Sequence, residues 1–173
     1  MREVATDILI FHNVFTKEFC TELLNRIDKW EITKEYNPKF WTYDAHLKRE
    51  SNPYLFAEIE KGFRQASSFY LCSLVKVHTA FVNKFTPDTI KGIGVHQDHN
   101  SYLTGMVKLN NSYEGGELFF PRQTFTTAEA GVGDLIVWPG NVTHPHGGQD
   151  VTKGIKHNLV IWTERNTEEW ENV

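Results

Sequence analysis

The 173-residue sequence predicts an α+β, mainly β protein in which two amino-terminal helices pack on a sandwich or closed barrel of short strands. Three observations lead there. Apolar residues recur at helical spacing in two early segments, the period changes to two from Val75 onward, and turn residues punctuate everything that follows. With 40% hydrophobic and 13% aromatic residues there is ample material for one packed core. A single domain over 1–173 is therefore expected, with helical support over about 1–74 and a barrel over about 75–165.

Taken in order, Ile8-Leu9-Ile10-Phe11 suits a first strand. Thr16 then offers a helix N-cap oxygen and Glu18 favours the positive end of the dipole. Phe15, Phe19, Leu23, Leu24, Ile27 and Trp30 form the apolar stripe of that helix. Residues 31–52 lose the period, mixing Tyr36, Phe40, Trp41 and Tyr43 with Lys34, Lys39, Lys48 and Arg49 around Asn37-Pro38. A long loop or irregular hairpin is predicted, its aromatics either lining a substrate groove or covering the edge of the core. Asn52 as cap and Pro53 in the first turn open a second helix that runs through Leu55, Ile59, Phe63 and Ala66 to about Tyr70.

From Val75 the chain reads as β. Val77, Thr79, Phe81, Asn83 and Phe85 fall on one face of a strand over 75–85. Further strands are expected over 93–97, 103–109, 117–120, 134–138 and 155–163, separated by turns such as Thr86-Pro87-Asp88, Asn110-Asn111, Gly131-Val132-Gly133 and Pro139-Gly140-Asn141. Beyond Glu164 the residues are polar apart from Trp170 and are expected to trail along the surface.

Charge and cysteine usage narrow the partners. The formal charge of −4 and pI near 6.1 come from scattered residues, so no basic face speaks for nucleic acid. Cys20 and Cys72 stand in no metal-ligand spacing and read as buried apolar residues of a reducing compartment. No apolar run follows a basic segment and no long uncharged stretch occurs, so neither signal peptide nor membrane span is expected, and a cytoplasmic location is.

The chemistry concentrates in residues 96–156. His96 and Asp98 are two apart, so on a strand they project from one face while Gln97 points away. A further imidazole from a distant strand, His144 or His146, would complete a two-histidine, one-carboxylate set of the kind non-haem Fe(II) oxygenases use. Gly115-Gly116 permits positive φ and close backbone approach ahead of the strand from Glu117 to Phe120, and 133–139 is a turn feeding an apolar strand. Alternation puts Lys156, Asn158, Val160 and Trp162 on one face of the last strand. If that face is interior, a buried ammonium must be paired, and a dicarboxylate would supply the partner.

These motifs together resemble the prolyl 4-hydroxylase-like branch of the 2-oxoglutarate, Fe(II)-dependent dioxygenases. His96-Gln97-Asp98, the strand start Gly115-Gly116-Glu117, Gly133-Asp134-Leu135 leading to Pro139, His146, Lys156 and Trp162 carry the likeness, over about half the chain. The segment from Ile8 to Trp30 is similar to the family's leading strand and helix. In the family a basic residue follows the second histidine by ten positions, which fits His146 and not His144.

The resemblance implies a double-stranded β-helix, the jelly-roll or cupin-like barrel, with the two helices packed on one sheet. It implies Fe(II) on His96, Asp98 and His146 as the catalytic metal centre, 2-oxoglutarate with its C5 carboxylate on Lys156, O2 as second cosubstrate and ascorbate in support. Succinate and carbon dioxide would be released as a C–H bond is hydroxylated. Related halogenases have a small residue where Asp98 stands, so hydroxylation is the expected outcome.

Two positions depart from the family. Lys108 replaces a tyrosine before Leu109-Asn110 and is either a second cosubstrate contact or turned to solvent, and Phe85 replaces a tyrosine upstream of the His-x-Asp strand. A prolyl residue of a peptide or protein is the substrate the resemblance implies, with Trp41 and Tyr43 as one wall and Arg122 and Arg165 as candidate anchors. A free amino acid or other small molecule is the alternative, and a non-catalytic metal- or ligand-binding jelly roll is the reading outside enzymology. His99 is second to the metal or an exposed loop residue; His12, His46, His78 and His157 read as ordinary structural histidines.

Overall fold

The segments that alternate in the sequence assemble, in the computed structural model, into a barrel of antiparallel strands backed by two helices; the structure describes residues 1–35, 37–70 and 75–165. Along the chain come β1 (Arg2–Ala5), β2 (Ile8–Phe11), helix α1 (Lys17–Asn25), β3 (Glu31–Thr33), β4 (Thr42–His46) and helix α2 (Pro53–Phe69). Then follow β5 (Val75–Phe85), β6 (Ile93–His96), β7 (Leu103–Lys108), β8 (Tyr113–Gly115) and β9 (Leu118–Phe120). The chain closes with β10 (Phe125–Thr126), β11 (Leu135–Pro139), β12 (His146–Gly148), β13 (Val151–Gly154) and β14 (Lys156–Arg165). One large sheet has the order β1-β2-β11-β7-β14-β5-β4-β3; a second, β10-β9-β12-β6, faces it, and β13 pairs with β8. This is the jelly-roll architecture.

Period-two alternation sorts the large sheet into two faces. Leu9, Phe11, Val107, Leu135, Val137, Leu159 and Ile161 meet Leu55, Ile59, Phe63 and Ala66 of α2 and Cys20 and Leu23 of α1. Ile8, Ile10, Met106, Ile136 and Trp138 point the other way, into the barrel, against Leu118 and Phe120. Runs such as Ile8-Leu9-Ile10-Phe11 are wholly apolar because both faces are covered.

The helices form largely as their sequences predict. Thr16 accepts from the Phe19 N–H, capping α1, which stops at Asn25; Ile27 and Trp30 still reach the core from the segment leading to β3. Asn52 stands before α2 but does not cap it, because its side-chain amide donates back to the Lys48 carbonyl; Pro53 alone sets the first turn. Within the stretch read as a loop or irregular hairpin, β3 and β4 pair antiparallel and extend the large sheet beside β5. The expected single face of β5 is also corrected. His78 is an extra residue in the pairing with β14, so Val77 turns to the helix side while Phe81, Asn83 and Phe85 face the barrel. Cys20 is a buried free thiol that desolvation pushes up to about 11, whereas Tyr36, Cys72 and Trp170 lie outside the described residues. No helix among the described residues is long and apolar enough to cross a membrane.

Candidate metal centre

β6 and β12 are register partners, and the pairing sets His96 directly against His146, with ring centroids 4.5 Å apart. Asp98 follows two residues after His96, its backbone N–H bonded to the Gly140 carbonyl. One ligand atom from each of His96, Asp98 and His146 lies within 4.8 Å of the others. His96 Nε2 is 3.8 Å from one Asp98 oxygen and His146 Nε2 is 3.4 Å from the other.

Each imidazole is oriented by its far nitrogen. His96 Nδ1 bonds the Gly94 carbonyl at 2.8 Å and His146 Nδ1 bonds the His144 carbonyl at 2.9 Å. A carbonyl only accepts, so both Nδ1 atoms carry a proton and both Nε2 atoms face the gap. Burial pushes the His146 imidazole below its ordinary value, although Asp98 pulls the other way. Thr104, on the barrel face of β7, donates to Asp98 Oδ2 at 2.8 Å and fixes the carboxylate. Two imidazoles and one oriented carboxylate form a donor set that fits a divalent iron with open positions.

The other histidine of the cluster is committed elsewhere. His144 is buried with Nε2 on the Thr6 carbonyl and Nδ1 on the Thr143 hydroxyl, tying β12 to the loop between β1 and β2. Gln97 points away and donates to the Val142 carbonyl.

The triad opens on a cavity of about 500 Å³ between the two sheets. Lys156, 4% exposed, lines the same cavity from the large sheet. Its ammonium donates to the Gly116 carbonyl, and the Asn158 amide, turned so that both its ends are satisfied, accepts from it at 3.1 Å. Gly115 and Gly116 both have φ +74°, and a Cβ on Gly116 would lie 2.8 Å from Val151 and 3.1 Å from the Lys156 stem. The glycine pair thus lets a carbonyl come down onto the ammonium. Burial pushes Lys156 down to about 8, with Lys108 adding to the effect and Glu117 opposing it. Phe85, its register partner, turns a ring toward the ammonium at 5.6 Å.

Several expected wall residues lie elsewhere. β4 turns Thr42, Asp44 and His46 into the cavity, so Tyr43 faces the opposite side, packed at a tilt against Trp30 under Lys84. Trp41 bonds the Glu35 carbonyl beneath Lys34, and it is Phe40, 6.3 Å from His96, that lines the cavity. Arg122 bonds the Val142 carbonyl outside the barrel, and Arg165 covers Tyr102 at the far end of β14; neither is on the cavity wall. Lys108 donates to the Ala130 carbonyl and borders a neighbouring cavity of about 280 Å³ that also touches Lys156. Exposed His99 stands at the mouth, as does His46. His157 packs on Trp30, and burial pushes it down to about 4.

Asp44, Asn83 and Thr104 on this wall escaped the sequence reading. The available signal was the Thr-x-Asp-x-His alternation of β4, hidden in a stretch without apolar period.

No family model matches the chain. Among solved structures it is similar to a viral collagen prolyl hydroxylase from Paramecium Bursaria Chlorella virus-1 in complex with 2-oxoglutarate, at 15% identity and a TM-score of 0.72 over 94% of this chain and 99% of that one. It is also similar to a prolyl hydroxylase from Trichoplax adhaerens in complex with a hypoxia inducible factor oxygen degradation domain peptide, at 13% identity and a TM-score of 0.73 over 96% of this chain and 87% of that one. Among curated proteins it is 23% identical to procollagen-lysine,2-oxoglutarate 5-dioxygenase 1 of Mus musculus over 168 residues, 87% of this chain and 23% of that protein. The chain thus spans about a quarter of the length of the curated relative.

Proposed function

We propose that this chain, which has the fold of the prolyl hydroxylases and 2-oxoglutarate/Fe(II) oxygenases, is a dioxygenase that hydroxylates a C–H bond of a prolyl or lysyl residue in a peptide or protein. The observation that carries the reading is one cavity holding both the His96, Asp98 and His146 set and the buried Lys156 ammonium. A metal-binding module has no reason to bury a cation beside its ligands; an enzyme that takes a dicarboxylate does.

Bound Fe(II) supplies the redox centre at which O2 and 2-oxoglutarate react, giving succinate and carbon dioxide. His96 and His146, oriented by the Gly94 and His144 carbonyls, would hold it through Nε2, and Asp98, aligned by Thr104, would supply an oxygen. Lys156, buried in the cavity wall, would pair with the distal carboxylate of 2-oxoglutarate in a charge-assisted contact. Trp138, Phe120 and Phe40 wall the iron end with rings. The names of the relatives support both substrate classes: the viral and Trichoplax neighbours are prolyl hydroxylases, and the curated relative acts on procollagen lysine.

The test uses purified protein with Fe(II) and 2-oxoglutarate. Without oxygen, a weak visible absorption of the chelate is expected; with oxygen and ascorbate, slow succinate formation should follow even without substrate. His146→Ala should abolish both signals, while His144→Ala should retain most of the metal binding. Neither absorption nor succinate from the parent protein would overturn the reading.

A further inference from the structure

Besides Asp98 of the metal set, two buried charged groups of opposite sign line the metal cavity. Lys156 has an anionic partner waiting in the proposed cosubstrate; Asp44 has none. Its carboxylate is 3% exposed, one oxygen accepts from Thr42 at 2.6 Å, and the other has no hydrogen-bond partner. Among the described residues no cationic nitrogen forms an ion pair with it. Burial raises its proton affinity, with the Thr42 and Thr33 hydroxyls and, least of all, the His46 imidazole opposing, so the ligand-free protein holds this carboxylate at an energetic disadvantage.

Register places it. Asp44 pairs with Asn83 of β5, which pairs with Asn158 of β14, the residue beside Lys156. Asp44 is therefore about 10 Å across the sheet from Asn158, two strand spacings. The Asn83 amide oxygen is likewise buried and unpartnered. Among the described residues that line this cavity, Lys156 is the one lysine or arginine. One step along the same face, Phe81 and Trp162 pack at 5.4 Å and give methylene groups an apolar surface.

We propose, resting on the oxygenase reading, that Asp44 is the specificity-determining residue: it receives the protonated amine of the substrate side chain, so the residue hydroxylated is lysyl rather than prolyl. A proline ring brings no charge to offset a desolvated carboxylate. A guanidinium would be served best by two open oxygens, and Thr42 already occupies one, which leaves a site for a compact ammonium. The aliphatic stem then lies along Phe81 and Trp162 while the amine holds the far end.

The test is peptide binding to the full chain loaded with Fe(II) and 2-oxoglutarate without oxygen. A capped peptide with one lysine should bind about tenfold or more tighter than the same peptide with norleucine or Nε-acetyl-lysine there. Asp44→Asn should erase that difference and leave 2-oxoglutarate affinity unchanged. Equal affinity for the lysine and norleucine peptides, tighter binding of a proline peptide, or a preference intact in Asp44→Asn would each overturn the proposal. The peptide comparison on the parent protein decides the matter even where the variant does not fold. Failure to form succinate would overturn the oxygenase reading alone, since the binding preference is measured without turnover.

Discussion

Lys156 is a buried ammonium whose described partners, the Gly116 carbonyl and the Asn158 amide, carry no charge. Holding it at about 8 against an ordinary 10.5 corresponds to about 3 kcal/mol opposing folding while the group is protonated. Between pH 8 and 10.5 the unfolded chain binds the extra proton, so the ligand-free protein should gain that stability as pH rises through the window, read as an increasing urea midpoint. Cosubstrate affinity should run the other way. It should be full below pH 8 and fall by up to about tenfold per unit above it, because the carboxylate binds the charged form. Lys156→Met should flatten both profiles. Strand period was the signal for His96, Asp98 and Lys156, and the ten-residue spacing of the resembled family was the signal for His146 over His144; the structure brings His96, Asp98 and His146 together. Asp44 had no such signal: its importance depends on which strand lies next to β4, and nothing local encodes that.

Elements were legible in proportion to their length and period. β5, β7, β11 and β14 fall where alternating apolar residues put them, within a residue or two. β8, β10, β12 and β13 are two to four residues long, and β8, β12 and β13 contain glycine, so their pairing is dictated by the strands beside them. The same dependence explains why Trp41 and Tyr43 were misplaced: once β4 joins β5, Thr42, Asp44 and His46 must face inward. Gly133 shows how tightly the elements are joined. With φ +86° it packs its α-carbon on the loop before α1, where a Cβ would sit 1.9 Å from the Phe15 carbonyl oxygen. It also accepts from the Phe15 N–H and donates to the Lys108 carbonyl, linking α1, β7 and β11. Gly133→Ala must move backbone and adopt a disfavoured φ, so a loss of about 2 kcal/mol or more is expected in urea unfolding, with the metal ligands untouched.

At the scale of the molecule, the amino-terminal strands and helices and the barrel share one large sheet, and β2 lies directly against β11, which carries Trp138 toward His146. Unfolding the support therefore dismantles the site, and whatever the site binds stabilises the support. The empty barrel carries three liabilities at once: the Asp98 carboxylate facing two imidazoles, the Lys156 ammonium and the Asp44 carboxylate, all buried. Fe(II) answers the first, 2-oxoglutarate the second and an amine-bearing peptide the third. Each ligand at about one hundred times its dissociation constant should add about 2.7 kcal/mol, which in a chain of this size raises Tm by about 5–10 °C. Anaerobic thermal melts should therefore climb in three steps as the ligands are added in that order, and a chelator added after Fe(II) alone should return the protein to its ligand-free Tm. In Lys156→Met the metal step should persist while the 2-oxoglutarate step shrinks, and in Asp44→Asn only the peptide step should be lost. That pattern separates the three charges, because a barrel stabilised merely by being filled would lose all its steps together.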